Sequence, residues 1–178
     1  MSETTPKRYN PALVAIHWLM ALLVIMMLGV GKFMMPTIPV EDPQKPMMLQ
    51  THAYIGIAIA VLLVIRLVLR FTTKRPAPAD AGNAFLNWVA KATHFLLYAF
   101  MLGMVASGMG LFQLADLPSI FSGATPYPAD YFSSFAPRGG HGIFSGLLLA
   151  LVALHFGAAM YHQFIKKDGL LGRMWFGK

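Results

Sequence analysis

Apolar residues in this chain come in long, nearly unbroken runs, with neither strand-like alternation nor a polar face at helical spacing. Four runs cover roughly residues 11–33, 47–71, 86–113 and 141–165. Each supplies the ~20 residues, at 1.5 Å rise per residue, that a helix needs to cross about 30 Å of hydrocarbon. In lipid the backbone must satisfy its own hydrogen bonds, so the runs predict helices and not open strands. The expected fold is all-α: an integral membrane, up-down-up-down four-helix bundle forming one domain over residues 1–178.

Polar positions mark where the runs begin and end. Asn10 sits where an N-cap belongs and Pro11 where a first helical turn begins, and Pro46 suits the first turn of the second helix. Arg66 and Arg70 close that second run, with stems long enough to snorkel to the membrane surface. "TTKRPAPADAGN" reads as a short polar linker. The third helix is expected from about Ala84, with Trp88 and Lys91 as interfacial anchors. The connection "LADLPSIFSGATPYPADYFSSFAPRGG" is the one long loop, and its aromatic residues predict that it lies on the bundle's surface. The fourth helix is expected to begin near "GGHGIF".

Composition agrees with the pattern. Of 178 residues, 57% are hydrophobic and 12% charged, whereas a soluble domain carries about 25% charged residues. The absence of cysteine excludes disulfides, thiolate metal sites and C-x-x-C-H haem attachment. The polar start "MSETTPKRYNP", followed by a run too long for a leader's apolar core, predicts no cleaved signal peptide.

The net charge of +7 is unevenly placed. Four spans put the N-terminus, the middle linker and the C-terminal tail on one side. That side carries Lys7, Arg8, Arg66, Arg70, Lys74, Arg75, Lys91, Lys166, Lys167, Arg173 and Lys178; the other has Lys32, Lys45 and Arg138. Eleven against three predicts both termini in the cytoplasm. The basic charge is therefore a topology signal, and membrane lipid, not nucleic acid, is the expected partner.

The chemistry lies in six histidines: His17, His52 and His94 on the first three runs, and His141, His155 and His162 on the fourth. Ionisable groups inside a membrane are costly, which makes them functional candidates. His141 and His155 are 14 residues apart, so they face within ~40° of each other at a separation of ~21 Å along the helix. That spacing is too long for one metal ion and suits two cofactors at two depths. Depth pairs His52 with His141 and His17 with His155, one imidazole for each side of a planar macrocycle, which is b-type haem ligation. Gly56 and Ser145, each one turn from a paired histidine, offer small faces there. Zinc would need three or four ligands at one depth, and the spans hold no acid or thiol to complete such a set. His94 is a candidate for the inner iron, or for contact with a haem propionate, a quinone or the interface. His162, beside Lys166 at the membrane edge, is a candidate donor to a bound ligand or an interfacial residue.

Arg8-Tyr9, "HW" at 17–18, His52 with Gly56, "HFLLY" at 94–98 and "HFGAAMYH…KDGLLGRM" at 155–174 resemble the bacterial cytochrome b561 family over essentially the whole chain. The resemblance implies two haem b groups held by His17, His52, His141 and His155, in agreement with the pairing by depth. It leaves His94, His162 and Lys166 as candidates for a quinone site or for contacts behind the ligands. It also implies a bacterial inner-membrane location and electron transfer linked to ubiquinone or menaquinone. One implied activity is oxidation of superoxide at the periplasmic face with quinone as acceptor. Arg138, three residues before His141, suits a haem propionate or the steering of superoxide, with Lys32 and Lys45 adding charge. Glu41, Asp42, Asp116 and Asp130 lie on that same side. The alternative is a haem-b anchor that relays electrons for a soluble dehydrogenase or hydrogenase, a periplasmic redox partner. A transporter with histidine proton relays is disfavoured because no broken helix or acidic relay residue is visible.

Overall fold

The computed structural model describes residues 6–130 and 132–176. Residues 1–5 of the polar start, and Lys178 from the charge count, lie outside the described residues. Four helices are long and apolar enough to cross a membrane: Pro11–Thr37, Gln44–Thr72, Ala84–Leu114 and Ala136–Lys166. They form the expected up-down-up-down bundle.

Helix α1 (Pro11–Gly29) starts at Asn10, whose side chain accepts from the Ala12 N–H, with Pro11 in its first turn. It continues through a π turn, Val30–Met34, and a 3₁₀ turn, Met35–Thr37. Helix α2 is Gln44–Thr72 and α3 is Ala84–Leu114, the latter capped by the Asn83 side chain on the Leu86 N–H. A short helix α4 (Leu117–Phe121) lies in the long loop. Helix α5 (Ala136–Tyr161) ends in a second π turn, His162–Lys166, before a 3₁₀ turn at Leu171–Met174.

Helix α5 begins five residues before the expected start at His141. The "APRGG" stretch reads as loop, but Pro137 fits the first turn of a helix, where its missing N–H costs nothing. Arg138 and His141 therefore stand on one continuous helix.

The helices pack as two close pairs, α1 on α2 and α3 on α5. Among the described residues α2 touches α3 more lightly, and α5 makes no comparable contact with α1 or α2. A seam therefore runs between the two pairs. Met20, Ile59 and Leu63 form one buried cluster, reached from α3 by Tyr98 and Met101. At the far end the long loop folds down as expected: Leu117, Ile120 and Phe132 pack on Leu49 and Ala53 of α2 and Phe112 of α3. Leu22, Phe71, Phe95 and Phe156 face outward, where lipid takes the place of water.

Candidate functional site: two imidazole pairs across the helix seam

His17 on α1 and His155 on α5 face each other with ring centroids 6.2 Å apart and planes crossed at 81°. At the loop end, His52 on α2 and His141 on α5 stand 6.1 Å apart at 68°. Two imidazoles bound on opposite sides of one metal, each through a nitrogen about 2.0 Å away, have centroids about 6.2 Å apart. Both pairs bridge the seam, and both match that spacing. Among the described residues no three His, Cys, Asp or Glu side chains gather where they could hold a metal ion. The arrangement is two pairs and not a tetrahedral cluster.

Backbone without side chains makes room for the rings. In the π turn that continues α1, a Cβ at Gly31 would lie 2.9 Å from His52 Cε1. On α3, a Cβ at Gly108 would lie 3.4 Å from His141 Cε1. Beside the loop-end pair is an apolar cavity of about 140 Å³, lined by Gly56, Met104, Gly108 and Leu148 as well as the two histidines. Beside the other pair, Arg66 on α2 lies close enough for its charge to act on His17 and His155. Its Nε donates to the Tyr98 hydroxyl at 3.0 Å, while Nη1 is buried with no hydrogen-bond partner. A buried guanidinium nitrogen without a partner calls for an anion. A seam crossed by paired imidazoles, an apolar cavity and an unmatched cation together fit haem, which is flat, apolar and carries two carboxylates.

Arg66 is thus half-buried against Tyr98, where snorkelling to the surface was expected. Lys45 also departs from expectation. It is 1% exposed, and its Nζ donates to the Met35 and Ile38 carbonyls at 2.6 and 2.8 Å. It ties the end of α1 to the start of α2 and adds nothing to an exposed cationic field. Lys32 does reach α5, its Nζ 4.0 Å from a Cβ placed at Gly146. Arg138 lies along α5 over Gly142, near enough to act on His141. Ser145 keeps its hydroxyl within its own helix, on the Gly142 carbonyl at 2.8 Å.

His94 comes closer to His155 than His17 does, at 5.1 Å and 87°. That separation is an edge-to-face ring contact, about 1 Å too short for a metal bound between two imidazoles. Its Nδ1–H donates to the Ala90 carbonyl at 2.6 Å. His162 is buried just past the end of α5, with Nδ1 2.5 Å from Asp168 Oδ2. Lys167 at φ +53° and Gly169 at φ +70° turn the chain back to bring Asp168 there. Burial pushes the Asp168 carboxyl up. Hydrogen bonds from His162 and the Leu170 N–H, with the nearby charges of His162 and Lys166, outweigh that and hold it below its usual value. Lys166 itself donates to the Asp80 carbonyl at 2.8 Å, fastening the α2–α3 linker to the end of α5.

Gly31, Gly108, Asp168 and the buried role of Arg66 were not singled out in the sequence as parts of the site. Each acts on a histidine of another helix or across a turn, and no local motif marks that. The family model for prokaryotic cytochrome b561 matches residues 8–177. The chain is 30% identical to a cytochrome b561 homolog 2 of Escherichia coli (strain K12), over 96% of this chain and 92% of that protein. It is 25% identical to a cytochrome b561 homolog 1 of the same strain, over 94% and 96%. It is 24% identical to a probable superoxide oxidase CybB of Yersinia pestis, over 94% and 96%.

Proposed function

The chain belongs to the prokaryotic cytochrome b561 family, and from that premise we propose that it holds two haem b groups and carries electrons from superoxide to a quinone across the bacterial inner membrane. The observation that carries this reading is the repeated imidazole geometry, 6.2 and 6.1 Å, at two depths of the seam. Bound haem would supply a one-electron carrier at each depth. His17 and His155 would hold one group, His52 and His141 the other. Arg66, with a buried unpartnered Nη1, would offer charge to the carboxylates of the first, and Arg138 would do so for the second or for an arriving anion. His94 packs on His155 and donates no bond to iron.

The loop end is assigned to the periplasm and both termini to the cytoplasm, supported by Lys74, Arg75, Lys91, Lys166, Lys167 and Arg173 at the termini end. Superoxide is an anion, and Lys32 and Arg138 place positive charge beside the loop-end pair. The similarity to a probable superoxide oxidase of Yersinia pestis supports the same donor. Ubiquinone or menaquinone is the acceptor at the termini end, reached from lipid. There Asp168 holds His162 through Nδ1, and the His162 ring is the group that supplies a proton as the quinone is reduced. Two superoxide anions, one quinone and two protons give two oxygen molecules and one quinol.

The test is purified protein in vesicles with a short-chain quinone and a steady source of superoxide. Quinol forming at one per two superoxide consumed, faster than in protein-free vesicles, is the expected result. A rate no greater than that of the empty vesicles would overturn the reading.

A further inference from the structure

Helix α3 supplies neither member of either imidazole pair, yet it touches the loop-end pair through a hydroxyl. Ser107 is buried in the span at 9% exposure. Its Oγ lies 3.0 Å from the Met104 carbonyl of its own helix and 3.1 Å from His141 Nδ1. A serine has one hydrogen to give, and a carbonyl can only accept. The Ser107 hydrogen therefore goes to Met104, leaving oxygen lone pairs towards His141. Only an Nδ1 that carries hydrogen satisfies that contact. The opposite tautomer would set two lone-pair oxygens against each other at 3.0 Å.

With Nδ1 fixed as N–H, Nε2 is the one His141 nitrogen with a lone pair for a metal. Gly108, one residue on, lets the ring's Cε1 edge lie directly against α3. The facing imidazole has no such support: His52 Nδ1 is buried without a hydrogen-bond partner. The loop-end pair is thus asymmetric, one ring polarised from behind and the other not.

We infer that Ser107 is a positioning residue for the loop-end haem, accepting from His141 Nδ1–H so as to fix the ligating tautomer and lower that haem's reduction potential. An acceptor behind a ligating imidazole makes the ring more basic and favours the oxidised, more positive iron. Its partner ring, and the pair at the other end, lie outside the reach of this contact. The inference rests on the haem reading above.

The experiment compares the parent protein with Ser107→Ala and Ser107→Thr. Haem per chain is measured first, then both midpoint potentials by spectroelectrochemical titration. With two haems retained, S107A is expected to move one potential upward and leave the other in place. The expected size is about a threefold to tenfold change in that reduction equilibrium, tenfold being about 59 mV for one electron. S107T, which keeps the hydroxyl, titrates like the parent. Should S107A fail to hold the loop-end haem, Ser107→Cys, a weaker acceptor of similar volume, is expected to show the same upward shift. Unchanged potentials in the loaded variant, an equal shift of both haems, or a threonine variant that behaves like alanine would overturn the inference alone. A parent protein without two haems would overturn it together with the haem reading.

Discussion

Gly31→Ala tests directly whether His52 is held by a ligand. The added Cβ would lie 2.9 Å from His52 Cε1 and 3.6 Å from Nδ1, whereas carbon atoms settle about 3.5–4.0 Å apart. The ring must retreat by roughly 0.6–1.1 Å, beyond the ~0.5 Å within which a ligating side chain keeps its geometry. A free imidazole at the end of a side chain moves aside at little cost. One fixed to iron on one side and pressed by α1 on the other does not. Overpacking of this kind costs about 1–3 kcal/mol, or roughly a fivefold to 150-fold loss of affinity for the loop-end haem. The control is Gly29→Ala, two residues away in the same membrane span, where a Cβ meets nothing within 4 Å. That change removes a flexible glycine and is expected to be neutral or mildly stabilising, by about 0.5–1 kcal/mol. The assay is haem titration of each variant in detergent, following the absorbance of both sites. G31A should lose occupancy at one site only, with G29A matching the parent. Equal titration of G31A and G29A would refute the claim that His52 is locked.

Three further outcomes follow from the same geometry. His155→Ala should lose the termini-end haem while His94→Ala keeps both, measured as haem per chain; loss of a full haem in H94A would return His94 to the ligand set. Lys45→Met should destabilise the loop end by about 1–3 kcal/mol, because the Met35 and Ile38 carbonyls lose their shared donor; earlier thermal unfolding, with both haem spectra intact below the transition, is the check. Because the folded Asp168 carboxyl titrates below its unfolded value, its tie to His162 is fully present above about pH 3.9 and lost as pH falls through the lower folded value. Hydrogen exchange around Leu170 should rise in that acid range, and Asp168→Asn should abolish the pH step.

Much of the arrangement was legible in the chain because a membrane imposes it. Four apolar runs had to be helices, and the 14-residue interval between His141 and His155 set two depths before any partner was known. What pairs His17 with His155 and His52 with His141 is depth, which residue counting from each span's end recovers. Contacts between helices were not readable in this way. Gly31 and Gly108 look like any small residue that lets membrane helices pack, and only the folded bundle shows imidazoles against them. Gly56 and Ser145, the small residues one turn from a histidine, have different roles. Gly56 lines the apolar cavity beside the loop-end pair, where a Cβ would meet no protein atom within 4 Å, whereas Ser145 is spent on its own helix. Arg66 was expected to snorkel and Lys45 to add charge at the outer face, whereas a tyrosine hydroxyl in one case and carbonyls in the other hold the charged ends inside. His94 sat at an ambiguous depth in the sequence, and the folded bundle places its ring edge-on to His155 at 5.1 Å.

The most direct test of the central claim is a reduced-minus-oxidised visible spectrum of the purified protein with haem quantified per chain. Two b-type haems per chain are predicted, falling to one in His155→Ala and to one in His141→Ala. A colourless protein, or a single haem that survives both substitutions, would contradict the account.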